Sequence, residues 1–193
     1  MGLEAKSFKG HLLFEPWTVQ TKQGGFYKVY TPLWRAVRDR EVPVPLPAPG
    51  RIPAPETYPS SEALGAWGLG QAMQRGAAIV AGHARVGADL AQERLAEFTS
   101  GALRHYGAGR DIPGEDGTSK LAENLALGEI TPAQCWHAAQ AELDRGNPGA
   151  EIFRKELVWR EFAYHLLHHT PQILTRNWKP AWDAFPWSED ASS

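Results

Sequence analysis

The sequence is poor in cysteine, in long apolar runs and in excess charge of either sign. Cys135 is the single cysteine among 193 residues, which excludes an intrachain disulfide framework and a cysteine-based zinc finger. The longest apolar run, 77–81, is too short to cross a membrane. The first residues contain neither a secretory apolar segment nor the Ser or Thr at position six that myristoylation prefers. We therefore expect a cytoplasmic protein with no membrane partner.

The charge balance excludes one further class of protein. Acidic residues number 22 and basic residues 20, which gives a formal net charge of −2. A protein that coats nucleic acid indiscriminately is strongly basic, so only a local basic patch is compatible with this balance. At 42% hydrophobic residues, the composition is that of a globular protein rather than a disordered tail.

Proline and tryptophan are abundant, with 15 and 8 residues. Seven of the prolines lie within 43–59. Because alternating proline favours extended polyproline geometry, this stretch is predicted to be a linker or a surface strap. Trp178, Trp182 and Trp187 lie close together in the sequence, and we expect them to pack in the core. Residues 61–82 are small and interrupted by glycine, and they match no clear pattern.

Two helices and one short strand are predicted before residue 110. Residues 26–30 alternate weakly and could form a short strand. Thr31 followed by Pro32 is typical of a helix N-cap and first turn, and this helix is predicted to reach Arg40. Apolar residues from about 86 to 106 recur at helical spacing, which predicts one helix that ends at the glycines after it.

Three more helices are predicted in the second half. A short one contains two leucines one turn apart and ends at Gly128. Thr131 and Gln134 form a capping box, which predicts a helix that runs to Arg145. The longest helix spans about 149–169. A series of helices with short connections predicts a mainly α fold.

Residues 117–121, Gly-Thr-Ser-Lys-Leu, form the first candidate site, at a predicted helix start. A helix N-terminus offers unpaired N–H groups, Thr118 and Ser119 add hydroxyls, and Lys120 adds charge, so together they suit a phosphate or pyrophosphate. The alternative is that Thr118 or Ser119 only caps the helix. The spacing is not that of a P-loop.

The second candidate site lies on the longest predicted helix. Glu156, Trp159 and Arg160 share one helix face and could form a platform for a flat heteroaromatic ligand. The alternative is a Glu156–Arg160 surface pair with Trp159 in the core. Tyr106 and Arg110 could line the same ligand, or they could be solvated loop residues.

Two remaining features have simpler interpretations. His165 and His169 are spaced to chelate a metal, but no third ligand is evident. We therefore predict no metal site and interpret these two residues and His168 as a partly exposed helix end, where histidine cations are favourable. Cys135, next to Trp136, is interpreted as a buried small hydrophobe.

Taken in chain order, these segments resemble the DNA photolyase/cryptochrome family, specifically its class I-like members. The segment 25–35 is similar to the exit from the family's antenna domain, and the resemblance extends over about 8–187. Four ordered motifs with intact spacing carry it: Tyr106 with 110–113, then 116–121, 127–132 and 156–162.

The resemblance implies a mainly α fold, in which a connector at 1–60 with its strap at 43–59 leads into the N-terminal half of a helical FAD-binding domain at 61–193. The implied function is light-dependent DNA repair, in which an electron from FAD splits cyclobutane pyrimidine dimers, a carbon–carbon lyase reaction. The implied partner is damaged DNA, and the implied state is a monomer. An antenna pigment of the folate or deazaflavin type is implied only for the full-length family.

The resemblance also assigns roles to residues. Glu156 would hydrogen-bond the dimer, Trp159 would stack on it, and Arg110 would lie near the DNA. Ala122 stands where the family usually has a second serine near the phosphates. The residues that would bind FAD are Tyr106, Thr118, Ser119, Lys120, Leu121, Phe153 and Arg160, with Phe153 standing where the family often has tryptophan.

Family members are much longer, so this chain is expected to bind FAD poorly and to be inactive in repair alone. A cryptochrome-like flavin photoreceptor and a non-catalytic remnant remain the two alternatives.

Overall fold

The computed structural model describes residues 3–6 and 8–186. Over these residues the chain forms helices and no β-strand, which confirms the mainly α fold. The α-helices are α1 (Tyr30–Val37), α2 (Arg75–Ala81), α3 (Ala88–Ser100), α4 (Tyr106–Gly109), α5 (Ala122–Leu127), α6 (Pro132–Asp144) and α7 (Ala150–His169). Short 3-10 helices lie at Pro16–Thr18, Leu64–Trp67, Gln71–Met73, Ala102–His105, Pro171–Leu174 and Pro180–Ala184.

Helix α7 is the centre of the fold, because α1, α4 and α6 all pack against it. Its buried apolar residues recur every three or four positions, which places them on one side of the helix. The predicted start and end of this helix, about 149–169, are confirmed. The apolar residues that α7 buries are Ala150, Phe153, Leu157, Val158 and Phe162.

The N-terminal segment is held against α7 by hydrogen bonds to buried side chains. The Glu161 carboxylate accepts the N–H groups of Leu13 at 2.7 Å and Phe14 at 3.1 Å. The N–H of Tyr27 donates to His165 Nε2 at 3.1 Å. The short strand predicted at 26–30 is therefore wrong, since the backbone there bonds to a side chain of α7 instead of a neighbouring strand.

Helix α1 begins and ends earlier than its sequence predicts. Val29 is the N-cap, so the expected cap at Thr31 is wrong, and the helix ends at Val37 rather than Arg40. The tertiary contacts of Tyr30 determine this start, because its hydroxyl donates to the carbonyl oxygen of Lys155 at 2.8 Å. That contact draws Tyr30 into the first turn of the helix.

The single helix predicted from about 86 to 106 is wrong, because the chain breaks it at Gly101. After α3 the chain forms the 3-10 turn 102–105 and then α4. The break buries Leu103 completely and brings its carbonyl oxygen against Gly149. Because α3 packs on α6 while α4 packs on α7, one straight helix would not make both contacts.

The capping prediction at Thr131 is confirmed on both sides. Gln134 N–H donates to the Thr131 hydroxyl at 3.2 Å, and Thr131 N–H donates to the Gln134 side chain at 2.8 Å. Helix α6 ends at Asp144, one residue before the predicted Arg145. Gly128 ends α5 in the left-handed region, with φ of +73°, as its position predicts.

Less regular segments surround this core. Residues 43–59 contain no helix or strand and are mostly exposed, and the division into a connector at 1–60 and a flavin domain at 61–193 stays a prediction. Trp178 is half-buried, but Trp182 is 51% exposed under the Lys179 ammonium, so the expectation of core packing is wrong for Trp182.

The third residue of the expected tryptophan cluster, Trp187, lies outside the described residues. Among the helices that are described, none is long and apolar enough to span a membrane.

Candidate functional site

Two regions contain six of the predicted site residues. The first is a cavity of about 530 Å³, here called the basic cleft, whose lining includes Thr118, Ser119 and Lys120 together with Arg85 and Arg94. The second, here called the Trp159 patch, consists of Tyr30, Arg110, Glu156 and Trp159. The lining of the basic cleft does not include Glu156, Trp159 or Arg160.

Arg94 fixes the wall of the basic cleft. It is 8% exposed, and its guanidinium donates to the carbonyl oxygen of Lys120 at 2.6 Å and to the carboxylate of Glu123 at 2.6 Å. Lys120 lies in the left-handed region, with φ of +51°. Residues other than glycine rarely adopt that backbone conformation, so the turn before α5 is strained. The hydrogen bond from Arg94 helps to hold it.

A buried amide extends this network to Arg85. Asn124 is fully buried, accepts from Arg94 at 3.0 Å, and donates to the carbonyl oxygen of Arg85 at 2.8 Å. The Arg85 guanidinium binds both oxygens of Glu97, at 2.6 and 2.9 Å, which raises the pKa of Arg85 and lowers the pKa of Glu97. The cleft therefore presents two ordered guanidinium groups, each partly compensated by a carboxylate.

The hydroxyls of Thr118 and Ser119 are free for a ligand. Helix α5 begins at Ala122 with Leu121 as its N-cap, so the alternative that Thr118 or Ser119 caps the helix is wrong. Within residues 3–6 and 8–186 neither hydroxyl has a hydrogen-bond partner, although the neighbouring Lys120 pairs with Asp116. Free hydroxyls beside two arginines suit an anionic oxygen.

In the Trp159 patch, Glu156 pairs with Arg110 in a close ion pair. The side chains of Glu156 and Arg110 are 33% and 31% exposed, and this hydrogen bond raises the pKa of Arg110. The Arg110 guanidinium lies 5.9 Å from the centre of the Tyr106 ring. The alternatives of a Glu156–Arg160 pair and of solvated residues at 106 and 110 are therefore wrong.

Trp159 is 46% exposed, which excludes the alternative of a core residue. Its ring is stacked on Tyr30, with the ring centres 3.8 Å apart and the planes 5° from parallel. Burial, followed by the nearby charge of Glu156, raises the pKa of Tyr30, so its hydroxyl stays protonated and keeps its bond to Lys155. Trp159 is thus an aromatic platform supported from one side.

Arg160 is directed toward the N-terminal segment. It donates to the carbonyl oxygen of His11 at 2.9 Å, contacts the His11 ring nitrogen at 2.9 Å and pairs with Glu161 at 3.1 Å. Its guanidinium also lies 4.9 Å from the centre of the Tyr164 ring. The contacts of Arg160 are therefore with the N-terminal segment and Glu161, and not with Glu156 or Trp159.

The remaining predicted FAD contacts are packed inside the chain. Tyr106, Phe153 and Leu121 are only 7%, 3% and 1% exposed. Tyr106 and Phe153 meet edge to face at 5.7 Å, and both contact Phe98, which lines the basic cleft. Their roles toward FAD stay predictions.

The histidine group differs in part from the expected exposed helix end. His165 is 2% exposed, so that expectation is wrong for this residue, and burial lowers its pKa to about 4. His168 is exposed, and His169 stacks on Phe26 at 4.7 Å. Among the residues with described positions, no group of three or more His, Cys, Asp and Glu could hold a metal ion.

Cys135 is fully buried, as predicted, and burial raises the pKa of its thiol to about 12.

Sequence reasoning did not find Arg85, Arg94 or Tyr30 as site residues. Arg94 contacts residues 26 to 30 positions further along the chain, and Tyr30 contacts a residue 125 positions away. Local spacing contains no signal for contacts at that separation. The position of Arg94 among the apolar residues of α3 is the one feature that indicates a buried arginine.

Comparisons with known proteins agree with the resemblance. The family model described as DNA photolyase matches residues 1–50, and the model described as the FAD binding domain of DNA photolyase matches residues 153–193. A deoxyribodipyrimidine photo-lyase from Agrobacterium fabrum is 44% identical, over 100% of this chain and 40% of the relative. One from a Synechococcus species is 30% identical, over 96% of this chain and 40% of the relative.

A solved structure has a similar fold. The crystal structure of a bacterial class III photolyase from Agrobacterium tumefaciens matches with a TM-score of 0.83 and 40% identity, over 96% of this chain and 39% of that one. The motifs predicted a class I-like member; the family is confirmed, and the subclass stays a prediction.

The chain spans about two fifths of the length of the curated relatives it matches. With two family models, these relatives and a common fold in agreement, the chain belongs to the DNA photolyase family.

Proposed function

We propose that this chain forms one side of the FAD-binding and lesion-binding site of a DNA photolyase, which repairs cyclobutane pyrimidine dimers in damaged DNA under blue light. The observation that carries the proposal is the Trp159 patch, where a half-exposed, supported tryptophan lies beside the Arg110–Glu156 ion pair. An exposed aromatic face beside hydrogen-bonding groups suits an unstacked base.

The basic cleft supports FAD as the cofactor on its phosphate side. Thr118 and Ser119 would donate their hydroxyls to the phosphate oxygens, while Arg85 and Arg94 would supply positive charge. Lys120 would add a third cation once it leaves Asp116. When bound, FAD supplies the electron that splits the dimer under light. A volume of about 530 Å³ is within the range of cofactor pockets.

The Trp159 patch would bind the flipped dimer. A base that leaves the duplex loses its stacking, and an aromatic platform returns about 1–3 kcal/mol per base. Tyr30 would keep the Trp159 ring in place, since it covers one of the two ring faces. Glu156 would hydrogen-bond the base edges, and Arg110 would turn from Glu156 toward a DNA phosphate.

The rest of the family's activity enters only as part of the proposal for the whole protein. An antenna pigment of the folate or deazaflavin type would belong to sequence beyond the two fifths that this chain matches. A single copy would bind one lesion, which fits a monomer.

A chimera tests the proposal. In it, residues 1–193 replace the matching segment of the Agrobacterium fabrum relative. We expect the chimera to hold FAD and to remove pyrimidine dimers from an oligonucleotide under blue light. The substitution Trp159→Ala should lower the repair rate at least tenfold with unchanged FAD content. Trp67→Ala is the matched control, because Trp67 is also about half exposed and lies outside the patch.

The same chimera separates the cryptochrome-like photoreceptor from a repair enzyme. Glu156 and Trp159 favour repair, because both would contact the lesion rather than the cofactor. A chimera that holds FAD, responds to blue light and leaves the dimers intact would overturn the repair proposal in favour of a sensor. If Trp159→Ala and Trp67→Ala repaired at the same rate, the assignment of the Trp159 patch would be wrong.

A further inference from the structure

A second cavity, separate from the basic cleft, contains a buried cation without a counter-ion. It has a volume of about 540 Å³ and is formed by residues 38–42, by α6 and by α7. Arg154 lines it and is 9% exposed. Its guanidinium lies 3.9 Å from the centre of the Trp136 ring, and one of its terminal nitrogens donates to the carbonyl oxygen of Arg38 at 3.0 Å.

The guanidinium of Arg154 is not fully satisfied. Its Nε atom is buried and has no hydrogen-bond partner among the described residues. Among the described residues, no carboxylate lies within ion-pair distance of the Arg154 guanidinium. An arginine offers five N–H donors in a planar fork, and within 3–6 and 8–186 only one of the donors of Arg154 is matched by an acceptor.

The carboxylates whose charge reaches Arg154 are each bound to another group. Asp39 pairs with Arg38 at 3.1 Å, and Glu151 pairs with Lys155 at 2.9 Å. Asp144, the third of them, accepts from Gln140 at 2.7 Å. Burial lowers the pKa of Arg154, the charges of the three carboxylates offset this effect only in part, and none of the three forms an ion pair with Arg154.

A buried cation without an anion is costly, and a cavity beside it gives an anion room to bind. We propose that this cavity binds a small oxyanion, a phosphate or a carboxylate, through the fork of Arg154, with Trp136 as the apolar wall behind the guanidinium. His137 also lines the cavity but is occupied, because its Nε2 lies 3.0 Å from the carbonyl oxygen of Val42. Arg38, also in the lining, has its side chain 52% exposed and is paired with Asp39, so Arg154 is the buried cation that the cavity offers to an anion.

The site does not depend on the proposed function. The basic cleft is lined by Arg85 and Arg94, whereas this cavity is lined by Arg38, Arg40 and Arg154 together with the acidic residues Asp39 and Glu41, and the two linings share no residue. A failure of the repair proposal therefore leaves the oxyanion site untouched, and the reverse also holds.

Thermal unfolding of the 193-residue chain tests the site. The melting temperature is measured with 0–50 mM inorganic phosphate, and separately with acetate, at constant ionic strength set by chloride. A ligand that binds only the folded state raises this temperature. We expect phosphate or acetate to raise it by a few degrees more in the wild type than in Arg154→Met. Arg104→Met is the matched control, because Arg104 is exposed and lines neither of the two cavities.

The comparison of variants isolates this cavity from the basic cleft, which is unchanged in all of them. A larger response to phosphate assigns a phosphate ester as the natural ligand, and a larger response to acetate assigns a carboxylate. Arg154→Lys serves as a second variant that keeps the charge but loses the fork, and its response should be smaller than that of the wild type. Equal anion responses in the wild type and either Arg154 variant would overturn the proposal.

Discussion

At the scale of single residues, two buried titratable side chains on α7 hold the N-terminal segment. Glu161 is 4% exposed and accepts two backbone N–H groups, and His165 is 2% exposed and accepts one. Burial raises the pKa of Glu161 to about 7 and lowers the pKa of His165 to about 4. In each case burial disfavours the charged form, so the two residues act in opposite directions as the pH changes.

The His165→Gln substitution should reveal the contribution of His165. The ordinary pKa of histidine is 6.5, so the unfolded chain binds this proton more tightly than the folded chain. The stability due to His165 is complete above about pH 6.5 and is lost as the pH falls toward 4. Between pH 7 and pH 5, we expect the free energy of unfolding of the wild type to fall by about 2 kcal/mol relative to His165→Gln. Urea unfolding at the two pH values measures the difference.

Glu161 contributes with the opposite sign, since its pKa of about 7 lies above its ordinary 4.5 and its ionisation lowers stability as the pH rises. The comparison with His165→Gln cancels this contribution, because both chains contain Glu161. Exposed His105 provides the control, and His105→Gln should follow the wild type across this pH range. A His165→Gln variant with the same pH dependence as the wild type would contradict the neutral, buried state of His165.

At the scale of elements, close backbone contacts fix how the helices meet. A Cβ atom placed on Gly149, just before α7, would overlap the carbonyl oxygen of Leu103 and lie 3.2 Å from the Cβ of Tyr106. Because that obstacle is backbone, it would not move aside by a rotamer change. The glycine therefore sets the distance between the start of α7 and the turn after α3.

We expect Gly149→Ala to lower the free energy of unfolding by about 1–3 kcal/mol, the range found for overpacked cores. Gly114→Ala is the control, because its Cβ would meet no atom within 4 Å and its φ is not in the left-handed region. Chemical denaturation of both variants measures the difference. Equal stability of the two variants would show that the Leu103 backbone moves away from the start of α7 without lowering the free energy of unfolding.

Local sequence signals predicted the elements that depend on local chemistry. Three predictions are confirmed: the capping box at Thr131, the end of α5 at Gly128 and the extent of α7. All three depend on caps or helical periodicity, which act within a few residues. The strand predicted at 26–30 and the uninterrupted helix through Gly101 were wrong, because contacts with α7 decide both. Propensity is overridden where tertiary contacts supply the hydrogen bonds.

The site was predictable only in parts. Thr118, Ser119 and Trp159 were proposed from their residue types and positions, and the structure places the first two in the lining of the basic cleft and leaves Trp159 half exposed. The contact of Arg110 with Glu156 and the stack of Tyr30 on Trp159 were not found, because each joins segments far apart in the sequence. The motifs therefore indicated candidate residues, whose roles stay predictions, and the fold determined which of these residues touch.

At the scale of the whole molecule, the chain exposes a large surface. Its accessible area is 14670 Å², whereas a compact monomer of 21.3 kDa has about 9,100 Å². Helix α2, for example, contains no buried residue. The predicted contacts on the flavin side, Tyr106 and Phe153, are packed into this chain's own core, so under the proposed function the basic cleft would provide the FAD contacts.

This distribution leads to a prediction about cofactor affinity. The 193-residue chain alone should lose FAD during gel filtration, because it offers hydroxyls and arginines for the phosphates but little apolar surface for the ring system. The chimera with the Agrobacterium fabrum relative should retain FAD through the same column. Flavin absorbance per mole of protein measures both.

Within the chimera, Ser119→Ala should raise the dissociation constant for FAD about 10- to 100-fold, because a hydrogen bond to a charged oxygen is worth about 1.5–3 kcal/mol and about 1.4 kcal/mol corresponds to a factor of ten. Ser100→Ala is the matched control, since the Ser100 hydroxyl donates to the carbonyl oxygen of Glu97 within its own helix and does not line the basic cleft.

Two results would contradict these predictions. Stoichiometric FAD on the 193-residue chain after gel filtration would show that this chain binds the cofactor firmly by itself. Identical FAD affinities of Ser119→Ala and Ser100→Ala would show that the FAD phosphates do not bind at Ser119 in the basic cleft, because Ser119 would then contribute no more than an ordinary helix residue.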